Sequence, residues 1–118
     1  MPYKAPDALL PLTPVAFEIL LALAGEDLHG YAILQAVETR LKGLLPLRTG
    51  TLYRSLARLL EDDLIEEVPG ADKTDERRRY YRITPHGREV ATLEAERLAG
   101  QVDAARARRL LPAKRSRS

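Results

Sequence analysis

Between Val15 and Ala24 the sequence offers a single polar side chain, Glu18. Ahead of this run, Thr13-Pro14 supplies a capping hydroxyl and a proline at the first helical position. Behind it, Gly25-Glu26-Asp27 supplies a glycine suited to a left-handed stop. The segment therefore predicts a helix that is apolar nearly all round, and such a helix has to be covered on most of its sides. A chain of 118 residues has room for one core and not for two. The rest of the fold must wrap around this helix, and part of the cover is expected from a second copy.

The other elements follow from spacing. Ile33, Leu34, Val37 and Leu41 lie on one side of a helix running from about His29 to Leu41, with Gln35, Glu38 and Arg40 on other faces. A break from Lys42 to Arg48 holds Gly43 and Pro46. Beyond it, Leu52, Leu56, Leu59 and Leu60 form a second buried stripe on a helix reaching about Asp62, with Thr49 or Thr51 as its cap. Leu64–Val68 and Arg78–Ile83 are rich in residues that suit a half-buried sheet. They flank a turn through Pro69-Gly70-Ala71-Asp72 and a polar tip from Lys73 to Glu76, so they predict two strands. Thr84-Pro85 repeats the opening signal of Thr13-Pro14, and a last helix is expected from Pro85 to about Leu111, stopped by Pro112.

This order is mainly α with a small β-hairpin: a winged helix-turn-helix plus a long C-terminal dimerisation helix. The domain reading is a winged helix-turn-helix DNA-binding domain over residues 1–83, the dimerisation helix over 84–111, and a basic disordered tail over 112–118.

Composition narrows the function classes. Hydrophobic residues at 45% allow a packed core and exclude wholesale disorder. The absence of cysteine removes disulfides and thiolate metal sites and fits a reducing compartment. No run approaches the roughly 18 apolar residues of a membrane span. Met1–Leu12 carries prolines and an acid where a secretory leader would have a basic start and an apolar stretch. The expectation is a cytoplasmic protein without membrane contact. The net charge of +2 hides an asymmetry: residues 1–76 hold seven Lys/Arg against thirteen Asp/Glu, and residues 77–118 hold twelve against four. A basic surface of this kind suits an anionic partner.

Two surfaces are candidates for that partner, double-stranded DNA. In a helix-turn-helix the second motif helix packs one face on the core and lays the other in the major groove. Opposite the leucine stripe stand Thr51, Arg54, Ser55 and Arg58, with Tyr53 at the flank. Arginine can fork onto guanine, and hydroxyls reach bases or phosphates. On the hairpin, Lys73, Arg77 and Arg78 near the tip are placed to reach phosphates or the minor groove. Alternation puts Arg78, Tyr80 and Arg82 on one face, and Tyr81 with Ile83 on the core side. In the last helix, Ala91, Ala95, Leu98, Val102 and Ala105 are spaced as a heptad seam, and Val90 and Leu93 form a smaller stripe toward the domain.

An enzyme is a poor fit. The histidines are His29 and His86, no glycine-rich phosphate loop occurs, and the adjacent Glu66-Glu67 point to opposite faces of a strand. His29 suits a cap or a packing role at the start of the second helix. No catalytic residue, metal site or cofactor is expected. The other rival is a winged helix used for protein contacts alone, or as a non-specific DNA-binding protein.

Three segments, His29-Gly30-Tyr31-Ala32-Ile33, Gly50-Thr51-Leu52-Tyr53-Arg54-Ser55-Leu56 and Arg79-Tyr80-Tyr81-Arg82-Ile83-Thr84-Pro85-His86-Gly87-Arg88, resemble the signature segments of the PadR family of transcriptional regulators. The likeness spans roughly Leu12 to Arg88 in order and spacing, and the short final helix resembles the compact branch of the family. The resemblance implies a repressor that binds a two-fold symmetric operator as a homodimer through its first and last helices. That adds Val15 and Ile19 to the dimer interface and turns Tyr53 and its neighbours toward DNA. It also implies a small hydrophobic effector at the dimer interface, although the chain has no tryptophan and Phe17 is its one phenylalanine. The glycine usual before the first strand is Asp63 here, a residue that tolerates a left-handed turn better than most.

Overall fold

A computed structural model describes residues 4–44, 47–69 and 79–113 of the chain. A short 3-10 turn at Pro6–Leu9 leads into α1 (Pro14–Gly25), β1 (Leu28–His29), α2 (Gly30–Leu41), α3 (Thr49–Glu61), β2 (Ile65–Val68), β3 (Tyr80–Ile83) and α4 (Pro85–Ala107). Three helices, a small antiparallel sheet and a long final helix make a winged helix-turn-helix with a C-terminal helix. Most of the expected basic tail, residues 114–118, lies outside the described residues.

The helix starts obey capping chemistry. The Thr13 hydroxyl accepts the Ala16 N–H, and the Thr84 hydroxyl accepts the Gly87 N–H, each with a proline in the first turn. His29 caps α2, its Nδ1 accepting the Ala32 N–H at 3.2 Å. At α3 the expectation fails. The cap position is Arg48 without a side-chain bond, Thr49 is already helical, and the Thr51 hydroxyl accepts from Arg54 instead.

The helix ends are decided by backbone closure. At α3, Asp63 adopts φ 61°, while the Leu64 N–H reaches back to the Leu59 carbonyl and the Asp63 N–H to that of Leu60. This is the left-handed closure usually given to glycine. At α4 the same closure forms four residues before the expected stop. Arg109 takes φ 62°, and the Leu110 N–H bonds the Ala105 carbonyl. The helix ends at Ala107, so Pro112 plays no part in stopping it.

The sheet has one strand more than expected. Its order is β1-β3-β2, all antiparallel, with Leu28 opposite Tyr81 and Ile65 opposite Ile83. A strand of two residues is too short to show alternation, and its pairing depends on where α1 and α2 bring it. On β3 the expected faces hold: Tyr81 and Ile83 are buried and Arg82 is exposed. The turn and tip between β2 and β3 lie outside the described residues.

The core gathers α1, the inner stripes of α2 and α3, the sheet and the start of α4. Ile19, Leu20 and Leu23 of α1 meet Ile33 and Val37 of α2, and Leu52, Leu56 and Leu59 of α3. Leu34, Leu41 and Leu60 of the expected stripes are only half-buried at its margin. Ile19 is 0% exposed within the single chain, so it belongs to this core and is not available to a second copy. Val90 is buried against the domain and Leu93 half-buried, as the smaller stripe predicts.

Polar contacts stitch α4 to the rest. A Cβ at Gly87 would overlap the backbone carbonyl of Leu64, so α4 can lie this close only with glycine there. Arg88 donates to the Ala24 carbonyl at the end of α1 at 3.1 Å. Glu94, 1% exposed, accepts the Leu12 N–H at 2.8 Å and a bond from Arg97. Its carboxyl is held below the ordinary 4.5, first by Arg97 and then by the Leu12 N–H, against burial that pushes it up. On the far side, Arg40 of α2 closes over the buried Glu18 of α1 at 2.7 Å.

Candidate nucleic-acid interface

The face of α3 opposite Leu52, Leu56 and Leu59 carries what the sequence placed there. Arg54 and Arg58 are exposed, Thr51 and Ser55 are half-buried beside them, and Tyr53 is 52% exposed. The strict division arises because the leucines recur at helical spacing and lock the rotation of α3 against α1.

Each polar side chain on this face has a definite neighbour. Arg54 donates to the Thr51 hydroxyl at 3.3 Å, a neutral partner, and no carboxylate pairs with its guanidinium among the described residues. Arg58 stands 3.6 Å from Asp62, one turn further along α3. Lys4 donates to the same Asp62 carboxylate at 3.1 Å, which brings the N-terminal segment against the end of α3. Both pairs have an exposed basic member, so solvent screens them and they hold their side chains only loosely.

Tyr53 is positioned by a close approach between helices. A Cβ on Gly30 would lie 3.1 Å from the Tyr53 hydroxyl oxygen, so the phenol rests over the first residue of α2. Any larger residue at position 30 would displace the ring. The ring of His29, which caps α2, meets Tyr80 edge-on with centroids 5.4 Å apart. The start of α2 thus touches both the candidate reading helix and the strand leading into the wing.

The described part of the wing is less basic in effect than in sequence. Arg82 forms a two-pronged pair with Asp27, with contacts from 2.8 to 3.2 Å, and Arg79 lies 3.6 Å from Glu67. Tyr81 is pushed above its ordinary value by burial and then by the Glu67 carboxylate, so it stays a neutral phenol of the core. Lys73, Arg77 and Arg78, the expected wing contacts, lie outside the described residues.

The expected dimer seam starts at the core margin, where Ala91 packs against it, and continues along α4. Ala95 and Val102 are exposed, and Ala91, Leu98 and Ala105 are half-buried. Val15 of α1 is half-buried, and Leu21 of the same helix is a large apolar side chain left 38% exposed.

Sequence reasoning missed Gly30, Lys4, Asp62 and Glu94. Local spacing shows only the Arg58–Asp62 and Glu94–Arg97 pairs; the contacts of Gly30 with Tyr53, Lys4 with Asp62 and Glu94 with Leu12 join residues distant in sequence. Gly87 stands two residues after the Thr84-Pro85 helix opening, where Thr13-Pro14 has Ala16, and that difference was the available signal for it.

A family model described as transcriptional regulator PadR-like matches residues 19–93, well over half of the chain. Among solved structures, a transcriptional regulator from Clostridium thermocellum superposes with a TM-score of 0.68 at 28% identity, over 88% of this chain and 96% of that one. A PadR-like transcriptional regulator from Bacillus cereus superposes with a TM-score of 0.66 at 24% identity, over 92% of this chain and 96% of that one, a likeness of fold. An uncharacterised 37.1 kDa protein in a transposon of Streptomyces fradiae is 40% identical over 87 residues, 71% of this chain. The match spans 24% of that longer relative.

Proposed function

The chain belongs to the PadR-like family of transcriptional regulators, a family of DNA-binding regulators and not of enzymes, and we propose that it is a repressor that binds a two-fold symmetric operator as a homodimer. The observation that carries this reading is the division of α3 into a buried leucine face and an exposed face bearing Arg54 and Arg58. In the proposal the exposed face enters the major groove, where the two arginines read base edges and Thr51, Ser55 and Tyr53 contact bases or phosphates. Lys73, Arg77 and Arg78 add phosphate contacts from the wing, which contribute affinity and salt dependence without base information.

The dimer rests on α1 and α4. Leu98 and Val102 with the three seam alanines provide a strip that a second α4 can cover, and the exposed Leu21 and half-buried Val15 extend it onto α1. Two reading helices related by a two-fold axis then meet successive major grooves about one helical turn apart. The protein acts in the cytoplasm on this reading; no helix among the described residues is long and apolar enough to cross a membrane.

Footprinting on the DNA upstream of the protein's own gene tests the proposal. A protected stretch with two-fold symmetry, retained against excess competitor DNA, is expected. Uniform coating of all duplexes would assign the protein to non-specific DNA binding, and no protection at any salt concentration would assign its winged domain to protein contacts.

A further inference from the structure

His29 ends β1 and opens α2, and its ring does two things there. Nδ1 accepts the Ala32 N–H at 3.2 Å and so caps the helix. The ring plane stands at 90° to that of Tyr80, the residue paired with His29 across the sheet. The next residue, Gly30, lies under the Tyr53 hydroxyl of α3. The imidazole therefore holds the first turn of α2, and that turn touches the reading helix on one side and the wing strand on the other.

A nitrogen that accepts a hydrogen bond must keep its lone pair. A second proton on the imidazole makes both ring nitrogens donors, which removes the cap and sets a positive charge at the positive end of the α2 dipole. Around this turn stand Tyr31 of α2 itself, Tyr53 of α3 and Tyr80 of β3. The carboxylates nearby are engaged: Asp27 is held in two-pronged fashion by Arg82, and Glu67 of β2 pairs with Arg79. Neither is placed to make the charged imidazole welcome. We propose that His29 is a positioning residue for operator binding, competent only as the neutral imidazole. Proton uptake releases the start of α2 and with it the shared alignment of reading helix and wing. The operator is bound most tightly above the range in which imidazole titrates, and less tightly as pH falls through it. This inference rests on the DNA-binding function proposed above.

The probe is the duplex protected upstream of the protein's own gene, titrated with the full chain from about pH 8 to about pH 5, the span in which imidazole changes charge. His29→Asn keeps a capping oxygen and takes up no proton, whereas His29→Ala has neither acceptor nor proton site. Both variants lack the ring, so their difference isolates the cap. His29→Ala should bind about fivefold more weakly than His29→Asn, the worth of one cap. Acid also neutralises carboxylates and strengthens phosphate contacts, and His86 titrates too, but these act in parent and variant alike. The affinity of the parent relative to His29→Asn should therefore fall by about fivefold across the range. Equal binding by the two variants overturns the cap as the positioning contact. A ratio of parent to His29→Asn that does not change with pH overturns the need for a neutral imidazole. In the free protein, nuclear magnetic resonance should show the Tyr53 ring signals following the titration of the His29 ring in the parent and standing still in His29→Asn. Tyr53 signals that ignore His29 overturn the link to the reading helix. That measurement needs no DNA, so a parent that binds no duplex defeats the proposed function and leaves the coupling to be decided by the spectra.

Discussion

At Gly87 the first turn of α4 passes so close to the chain entering β2 that any Cβ would meet the Leu64 carbonyl, and a backbone atom cannot swing aside. The same approach carries the Thr84 N–H to the Leu64 carbonyl at 3.1 Å and the Thr84 hydroxyl to the Asp63 carbonyl at 2.7 Å. Gly87→Ala should therefore cost about 2–3 kcal/mol or more of folding stability, the scale of overpacking in a rigid contact, read as a fall in the denaturant midpoint. Glu94 acts through charge. Its carboxyl titrates below its unfolded value of 4.5, so its contribution is complete above that value and disappears as pH falls through the lowered one. Glu94→Gln should be less stable than the parent at neutral pH, and the gap should close in acid below 4.5. A gap that stays constant with pH would remove the Arg97 pairing as its cause. On α3, Arg54→Ala and Arg58→Ala should keep the fold, because both side chains are exposed. Where the arginine reads a base edge, its removal should cost about 1–3 kcal/mol of operator binding and relax preference at one position. Quantitative binding across operator variants separates this from a phosphate contact, which would weaken all sequences alike.

At the scale of the elements, rotation and termination place the reading face. The leucine spacing fixes which face of α3 turns outward. Its end is fixed by a left-handed residue that is not glycine, Asp63 at φ 61°. Asp63→Gly keeps the closing bonds from Leu64 and Asp63 to the carbonyls of Leu59 and Leu60 and relieves the cost of a Cβ in that conformation. It should raise stability by about 0.5–1 kcal/mol, seen as a higher midpoint with an unchanged denaturant slope. A loss of stability would mean that the Asp63 side chain makes a contact worth more than the strain. The third strand belongs to the same scale. Paired to β3 by two residues, β1 carries His29 against Tyr80, and Asp27 just ahead of it pairs with Arg82, which together hold the root of the wing beside the start of α2.

For the whole molecule the question is how two reading helices come to act together. If the α4 seam joins two copies, Leu98→Asp sets two carboxylates near the two-fold axis in an apolar contact, a cost of several kcal/mol. The variant should sediment as a monomer and lose operator affinity although Arg54 and Arg58 are intact, because each half-site supplies only part of the binding. A Leu98→Asp protein that remains dimeric would remove the seam, and a monomer with parental operator affinity would remove the symmetric reader.

The sequence by itself determined the elements whose signals are local. Thr13-Pro14 and Thr84-Pro85 set helix starts, the 3.6-residue recurrence of leucine set the inner face of α3, and two-residue alternation put Tyr81 and Ile83 inward. With these came the order of a winged helix-turn-helix and an outward row in which Arg54 and Arg58 are exposed and Thr51 and Ser55 half-buried. The tertiary structure alone decided whatever depends on which surfaces meet. Ile19 looks like any other apolar residue of α1, and only the packing of α2 and α3 around it removes it from a partner's reach. Pro112 looks like a helix stop, yet backbone closure at Arg109 comes first, because a helix end is set by where its last carbonyls find donors. Glu94 sits in the last helix like any solvated acid until Leu12, distant in sequence, brings an N–H to it. Periodicity reports the side of an element that turns inward; it carries no information about the residue waiting there, because that neighbour is supplied by chain closure over distances no local pattern spans.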